Sequence, residues 1–437
     1  MQEVLVKTRD QVYLNPDELP GAWYNIIADL PGQLPPPKDP EQGPSRLEFL
    51  SRVLLKHCLQ QETSTERWIS IPDAVQDLYR QAGRPRPLYR ARRLERYLNT
   101  PARIYYKRED LSPTGSHKVN TALAQAYYAA EEGCIGVSTE TGAGQWGTAL
   151  AYAASLMGLK CVIFWVRSVY DWKPERRALM QLYGGTVHPS PSRETQVGRE
   201  LLDKNPDQAG SLGIAVSEGL EYAERNNGFA YCLGSVLNHV LIHQSIIGLE
   251  TMKQFSLIDE QPDLMIGCLG GGSNFGGFIL PFAGEVVRGK RECEFLAAQS
   301  SSAPNLAEGE YRYDFGDHAE KTPLLKMYTV GHQTDMVPIK ADGLRYHAAA
   351  PIISYLKHLG HVRAVAYPQD ELDIFQAAKV FTQVEGFLPA PESSYAIKAA
   401  IDQALERKRK NQEKVIAFNV SGHGFLDLPA YREKLVF

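Results

Sequence analysis

Between residues 119 and 187 the apolar positions switch repeatedly between two periods. Val119, Ala122, Leu123, Ala126, Tyr127 and Ala130 recur at i, i+3, i+4 and i+7, which places them on one stripe of a helix, and Gly133 supplies its stop. The short β-rich run from Ile135 to Ser138 follows, then a helical pattern from about Trp146 to Leu156 and the apolar run from Cys161 to Val166. A further helical pattern, from about Pro174 to Tyr183, is closed by Gly184-Gly185 and leads to Thr186-Val187. Three βα units in succession predict a mostly parallel sheet with helices on its faces. Strand-like runs at Leu264 to Leu269, Phe295 to Ala298 and Val415 to Asn419 alternate with helical segments near Val240 to Phe255, Leu372 to Val384 and Ser394 to Arg407, a second α/β layer set.

Ahead of Gly83 the pattern is uneven. Five prolines between Pro31 and Pro40 fix extended backbone and remove donors, so residues 1–80 read as an extension that wraps the body. Residues 81–240 read as an N-terminal α/β domain with a mobile subdomain, and residues 241–437 as a C-terminal one, with segments exchanged between them. The expected fold class is α/β, with two open α/β domains.

Composition narrows the function. The 437 residues carry 47 Lys plus Arg against 51 Asp plus Glu, a net charge of -4 mixed along the chain, so neither nucleic acid nor a membrane surface is an expected partner. The most apolar stretch, near Leu159 to Val166, is far short of the ~20 residues that span a bilayer. The start, Met-Gln-Glu-Val-Leu, shows no leader pattern, and the six cysteines are scattered with no C-x-x-C pair, so a cytoplasmic protein without disulfides or a zinc site is expected. His239 and His243 share a helix face but lack the H-E-x-x-H form, and no metal ligand is assigned.

Three loops between strands and helices carry the chemistry, at the ligand face of an open α/β sheet. Ser112-Pro-Thr-Gly-Ser-His-Lys118 sets a lysine at the opening of the striped helix, where dipole and burial favour a neutral, nucleophilic amine able to form a Schiff base. That loop alone fits equally a lysine snorkelling at a helix start. Cys268-Leu-Gly-Gly-Gly-Ser-Asn274 follows an apolar strand and lets backbone N–H groups approach a phosphate. Thr139-Glu-Thr-Gly-Ala-Gly-Gln-Trp-Gly147 formally matches G-x-G-x-x-G, so a nicotinamide cofactor stays open; against it, the expected ribose acid is missing after Val166 and Glu140 would crowd a pyrophosphate. Glu140 suits acid–base work beside a carboxylate-bearing substrate. Ser421, at a strand end, could contact a ring nitrogen or simply stabilise its turn. Glu385-Gly-Phe-Leu-Pro-Ala-Pro-Glu392 puts two acids around another turn.

Together these segments resemble the tryptophan synthase β chain family, fold-type II pyridoxal-phosphate enzymes, over roughly residues 80–430. The resemblance rests on Gly-Ser-His-Lys118-Val-Asn-Thr-Ala, Glu140-Thr-Gly-Ala-Gly-Gln-Trp146-Gly, Gly270-Gly-Gly-Ser-Asn274, Gly343-Leu-Arg-Tyr-His347 and Ser421-Gly-His-Gly. Trp146 in place of histidine and Arg345 in place of aspartate point to the second type. It implies two domains with pyridoxal 5'-phosphate between them and leaves a monovalent cation as a further cofactor to look for. It implies Lys118 as the Schiff-base lysine and Glu140 as the acid–base residue. The cofactor would be held by His117, Lys118, Asn120, Gly270, Gly271, Gly272, Ser273, Asn274, Glu385 and Ser421. The substrate would be held by Thr141, Gly142, Ala143, Gly144, Gln145, Trp146 and Arg345. The implied reaction is L-serine plus indole to L-tryptophan plus water through an aminoacrylate, in a homodimer, with docking of a tryptophan synthase α chain left open.

The chain departs from the second-type pattern at Asp342 and Ala348, where glycines are expected, at Lys340, where histidine is usual, and at Arg86, in place of threonine. These leave room for a serine or threonine deaminase, or for a nucleophile other than indole. A non-enzymatic cofactor-binding protein is the remaining alternative, disfavoured by the presence of both Lys118 and Glu140.

Overall fold

The computed structural model describes residues 10–435. The expected units appear where the periodicity puts them: helix Val119–Glu131, strand Gly136–Thr141, helix Gln145–Leu156, strand Lys160–Val166, helix Pro174–Leu182 and strand Gly185–Ser190. Gly133 follows the first helix with a φ of 73°, the left-handed conformation that ends helices.

Two sheets organise the described residues. The smaller has four parallel strands in the order Gly185–Ser190, Lys160–Val166, Gly136–Thr141, Phe229–Tyr231. The larger has seven, in the order Gln11–Val12, Leu88–Arg90, Arg103–Arg108, Val415–Val420, Leu264–Cys268, Glu294–Ser300, Val362–Tyr367. Its first two pairings are antiparallel and the rest parallel. All residues of Gly136–Thr141, Leu264–Cys268 and Val415–Val420 are buried, as strands covered by helices on both faces must be. Helix Leu212–Arg225 lies along the smaller sheet, and helices Ser273–Val287 and Pro391–Lys410 along the larger.

A boundary at residue 240 does not separate the sheets. Leu88–Arg90 and Arg103–Arg108, within the segment expected to form the first domain, pair into the larger sheet, with Arg103 to Arg108 running in register beside Val415 to Val420. A two-stranded hairpin, Glu310–Phe315 with Leu324–Thr329, is an addition the periodicity did not announce.

The extension wraps the body and is well anchored. Trp23 and Tyr24 are fully buried, and Asp29 accepts hydrogen bonds from Tyr24, Arg67 and Arg288. Helix Lys56–Glu62 is docked at both ends: Glu132 accepts from the backbone N–H of Lys56 and His57, and Glu62 accepts from those of Asn238 and His239. A carboxylate at a helix N-terminus satisfies groups that the helix itself leaves open. His239 and His243 pack as helix residues, bonded to Glu62, Thr121 and Gln61. Among the described residues no helix is long and apolar enough to cross a membrane.

Candidate active site

The loops converge on one cavity of about 250 Å³ between the sheets, at the carboxyl ends of Gly136–Thr141, Leu264–Cys268 and Val415–Val420. His117, Lys118, Glu140, Thr141, Gly142, Ala143, Gln145, Trp146, Gly270, Gly271, Gly272, Ser273, Asn274 and Ser421 all line it.

Lys118 stands at the start of helix Val119–Glu131, and its Nζ donates to the Gly234 carbonyl and to Ser273 Oγ, the latter at 3.0 Å. Its amine faces the cavity. Burial pulls its pKa down to about 8, although Glu140, Cys268 and Glu392 favour the charged form. The His117 ring lies 3.2 Å from the same Ser273 hydroxyl, and burial, reinforced by the Lys118 charge, pushes its pKa down to about 3, so the imidazole is neutral.

Ser273 opens a 15-residue helix, whose N-terminus is a ready anion site. The preceding turn is bare by necessity: a Cβ on Gly271 would sit 2.6 Å from Ser235 Oγ and 2.9 Å from Val236 Cγ2. Asn274 lends the turn rigidity, donating to the Cys268 carbonyl at 3.0 Å and accepting from Asn419 at 2.6 Å. The Ser421 hydroxyl lies 2.8 Å from Ser393 Oγ and 3.5 Å from Cys268 Sγ, while its carbonyl accepts the His117 backbone N–H at 2.9 Å. Lysine, glycine cradle and terminal hydroxyl therefore belong to one connected site. A bare helix N-terminus for a dianion, an amine of lowered pKa and a hydroxyl for a ring nitrogen fit pyridoxal phosphate.

Opposite them, Glu140 is 7% exposed, and burial pushes its pKa up to about 7 against the opposing effects of Tyr231 and Lys118. Beyond it, the first turn of helix Gln145–Leu156 presents backbone N–H groups suited to a carboxylate. That loop is held by Trp165 Nε1 donating to the Gly142 carbonyl at 2.7 Å and by Gln145 Nε2 donating to Glu392 at 3.2 Å. The cavity continues outward between Leu50, Leu54 and Leu59 of the extension and Leu212, Val216 and Leu220.

Four expected site residues are not part of the cavity lining. Asn120, two positions beyond Lys118, points to the opposite side of its helix, where it bonds Arg86, Glu109 and Gln244. Gly144 starts its helix with a φ of 91° and backs onto Arg176, whose side chain its missing Cβ would meet. Arg345 turns toward Asp342, at 3.3 Å. Glu385 ends helix Leu372–Glu385 and accepts from the Leu94 backbone N–H at 2.8 Å. The acid from that turn that reaches the cavity is Glu392, which also accepts the Gly343 N–H at 3.0 Å. Sequence reasoning also missed Tyr231, Gly234 and Ser235. They sit on a three-residue strand and the turn after it, without a motif.

The departures from the family pattern have partners of their own. Buried Lys173 lies 3.5 Å from Asp342 and 3.0 Å from Asp427, and Arg176 lies 2.9 Å from Asp427, tying the Pro174–Leu182 region to the loop beneath Gly142. Lys340 pairs with Glu433 at 2.6 Å, Ala348 is fully buried, and Arg86 pairs with Glu109 at 2.5 Å in the core.

Residues 79–422 match the family model described as pyridoxal-phosphate dependent enzyme. The chain is similar to a tryptophan synthase beta chain 2 of Methanothermobacter thermautotrophicus, 54% identical over 98% of this chain and 99% of the relative. Proteins of the same description from Thermotoga maritima (54%, over 96% of this chain and 99% of the relative) and Pyrococcus furiosus (52%, over 97% and 95%) are similarly near. Among solved structures, a processed threonine deaminase isoform 2 from Solanum lycopersicum shares the fold at a TM-score of 0.60 and 18% identity, covering 93% of this chain and 98% of that one.

Proposed function

The chain belongs to the pyridoxal-phosphate dependent enzymes and, within them, to the tryptophan synthase β chains of the second type, and on that footing we propose that it joins L-serine and indole into L-tryptophan and water. The observation that carries the reading is that an amine with a pKa near 8, a carboxyl with a pKa near 7 and a glycine-lined helix N-terminus share one cavity.

Lys118 would attach the cofactor, the Gly270–Asn274 turn and Ser273 would take its phosphate, and Ser421 would face its ring nitrogen. The chemistry the group supplies when bound is an aldehyde that captures an amine and a ring that withdraws electrons from Cα; a hydroxyl at the ring nitrogen, rather than a carboxylate, suits replacement at Cβ. The Lys118 amine removes the serine Cα proton and later returns it. Glu140 hands a proton to the departing β-hydroxyl, so that water leaves, and then takes the proton that indole loses as its C3 carbon bonds to Cβ. The first turn of the Gln145–Leu156 helix holds the carboxylate, and the leucine-lined outer cavity receives the indole and keeps water out.

The test is purified protein loaded with cofactor and given L-serine with and without indole, in sodium and in potassium buffer, with products identified by mass spectrometry. Tryptophan appearing only with both substrates supports the reading, and the two buffers show whether a monovalent cation contributes. Pyruvate without tryptophan overturns it in favour of a deaminase. The same reading takes the two sheets as the two domains around the cofactor. It also makes the chain a cytoplasmic homodimer, an expectation light scattering checks with and without an added α chain.

A further inference from the structure

Among the described residues Glu140 has one dependable partner. Thr139 Oγ1 comes within 3.3 Å of Glu140 Oε2, but its single proton is directed at the Cys232 carbonyl, 2.6 Å away, and the oxygen accepts from Trp146 Nε1 at 2.6 Å. Lys118 Nζ donates to the Gly234 carbonyl and to Ser273 Oγ and, among the described residues, makes no hydrogen bond to Glu140. What remains is Tyr231, whose hydroxyl donates to Glu140 Oε2. Tyr231 is 3% exposed, its ring seated against Gly219, where a Cβ would come within 2.9 Å. Burial and the neighbouring carboxylate hold its hydroxyl far above the usual range, so it stays a donor.

We propose that Tyr231 is a positioning residue for the reaction: its hydroxyl anchors Glu140 Oε2 and thereby leaves Oε1 to serve the substrate. The inference rests on Glu140 being the acid–base group. Trp146 takes part indirectly, because its indole N–H donates to Thr139 Oγ1 and narrows the directions left to the threonine proton. The groups facing Glu140 and Tyr231 from all sides are Lys118, Cys232, Tyr346 and Asp317. Of these, only Lys118 favours the Glu140 carboxylate, and without the Tyr231 hydroxyl burial would keep the group protonated to higher pH.

The experiment compares the wild type, Tyr231→Phe, Glu140→Gln and the double variant. In the cofactor-free protein, infrared difference spectra across pH follow the protonated carboxyl band that Glu140→Gln removes. In Tyr231→Phe its midpoint should move up by about one pH unit. In the loaded enzyme, kcat should fall about tenfold, as expected for a lost hydrogen bond to a charged group, with KM for serine little changed. The limb of the kcat profile that Glu140 sets should shift the same way: the alkaline limb where proton donation to the β-hydroxyl is limiting, the acidic limb where proton uptake from indole is. The double variant should be no slower than Glu140→Gln alone, because Tyr231 acts through that carboxylate. An unmoved carboxyl midpoint, or a double variant far slower than Glu140→Gln, overturns the proposal. A wild type that makes no tryptophan overturns the reaction instead, while the infrared midpoint still decides Tyr231. If Tyr231→Phe does not fold, the wild type grown with 3-fluorotyrosine, a stronger donor of nearly the same shape, should show the Glu140 band at lower pH; an unchanged position refutes the role.

Discussion

Lys118 Nζ and Ser273 Oγ lie 3.0 Å apart although 155 residues separate them in the chain. The contact joins the start of helix Val119–Glu131 to the start of helix Ser273–Val287, so the amine and the anion turn are held in one fixed relation. Ser273→Ala removes a partner of both Lys118 and His117. It should weaken cofactor affinity about tenfold, the usual cost of losing one hydrogen bond to a charged group. Titration of the cofactor-free variant with pyridoxal phosphate, followed by absorbance, gives the comparison.

Burial also fixes how cofactor attachment depends on pH. Only the neutral amine attacks an aldehyde, so the attachment rate to cofactor-free protein should rise with pH and level off above about 8, where Lys118 has lost its proton. An ordinary lysine would still be gaining at pH ~10. A midpoint near 10 would show that water reaches the amine freely.

Glu140→Gln keeps the shape of the side chain but neither donates nor takes up the protons of the proposed reaction. Turnover should fall by about 100-fold or more, the usual contribution of a positioned acid–base group, while the cofactor absorbance stays that of the parent. Unchanged turnover would remove Glu140 from the mechanism.

Lys173→Met leaves Asp342 and Asp427 buried without their shared cation. Breaking one side of a buried ion pair costs about 3 kcal/mol, so the urea midpoint should drop accordingly, and adding Asp342→Gly should restore part of it. A midpoint equal to the parent's would mean that water already solvates the cluster.

The helices and strands around the site were legible because their patterns are local. The stripe from Val119 to Ala130 becomes helix Val119–Glu131, and the run from Cys161 to Val166 becomes strand Lys160–Val166, extended by one residue. Pairing was less legible: nothing between Arg103 and Arg108 says that its neighbour lies at Val415 to Val420. The same limit explains the acids. Glu385 and Glu392 flank one turn, and only the direction of helix Pro391–Lys410 shows that Glu392 turns inward while Glu385 caps the Leu94 backbone. Tyr231 was invisible for a similar reason, since a tyrosine on a three-residue strand has no spacing that ties it to Glu140.

The strand order of the larger sheet bears on how the chain is made. Val415–Val420 lies between Arg103–Arg108 and Leu264–Cys268, so its two neighbours leave the ribosome long before it does. The smaller sheet is complete once Tyr231 has emerged, and it can pack while synthesis continues. The larger sheet must wait with two open edges until Val415–Val420 has been made, a condition that invites wrong pairing. Nascent chains halted before Val415 should therefore depend on chaperones far more than the finished protein does.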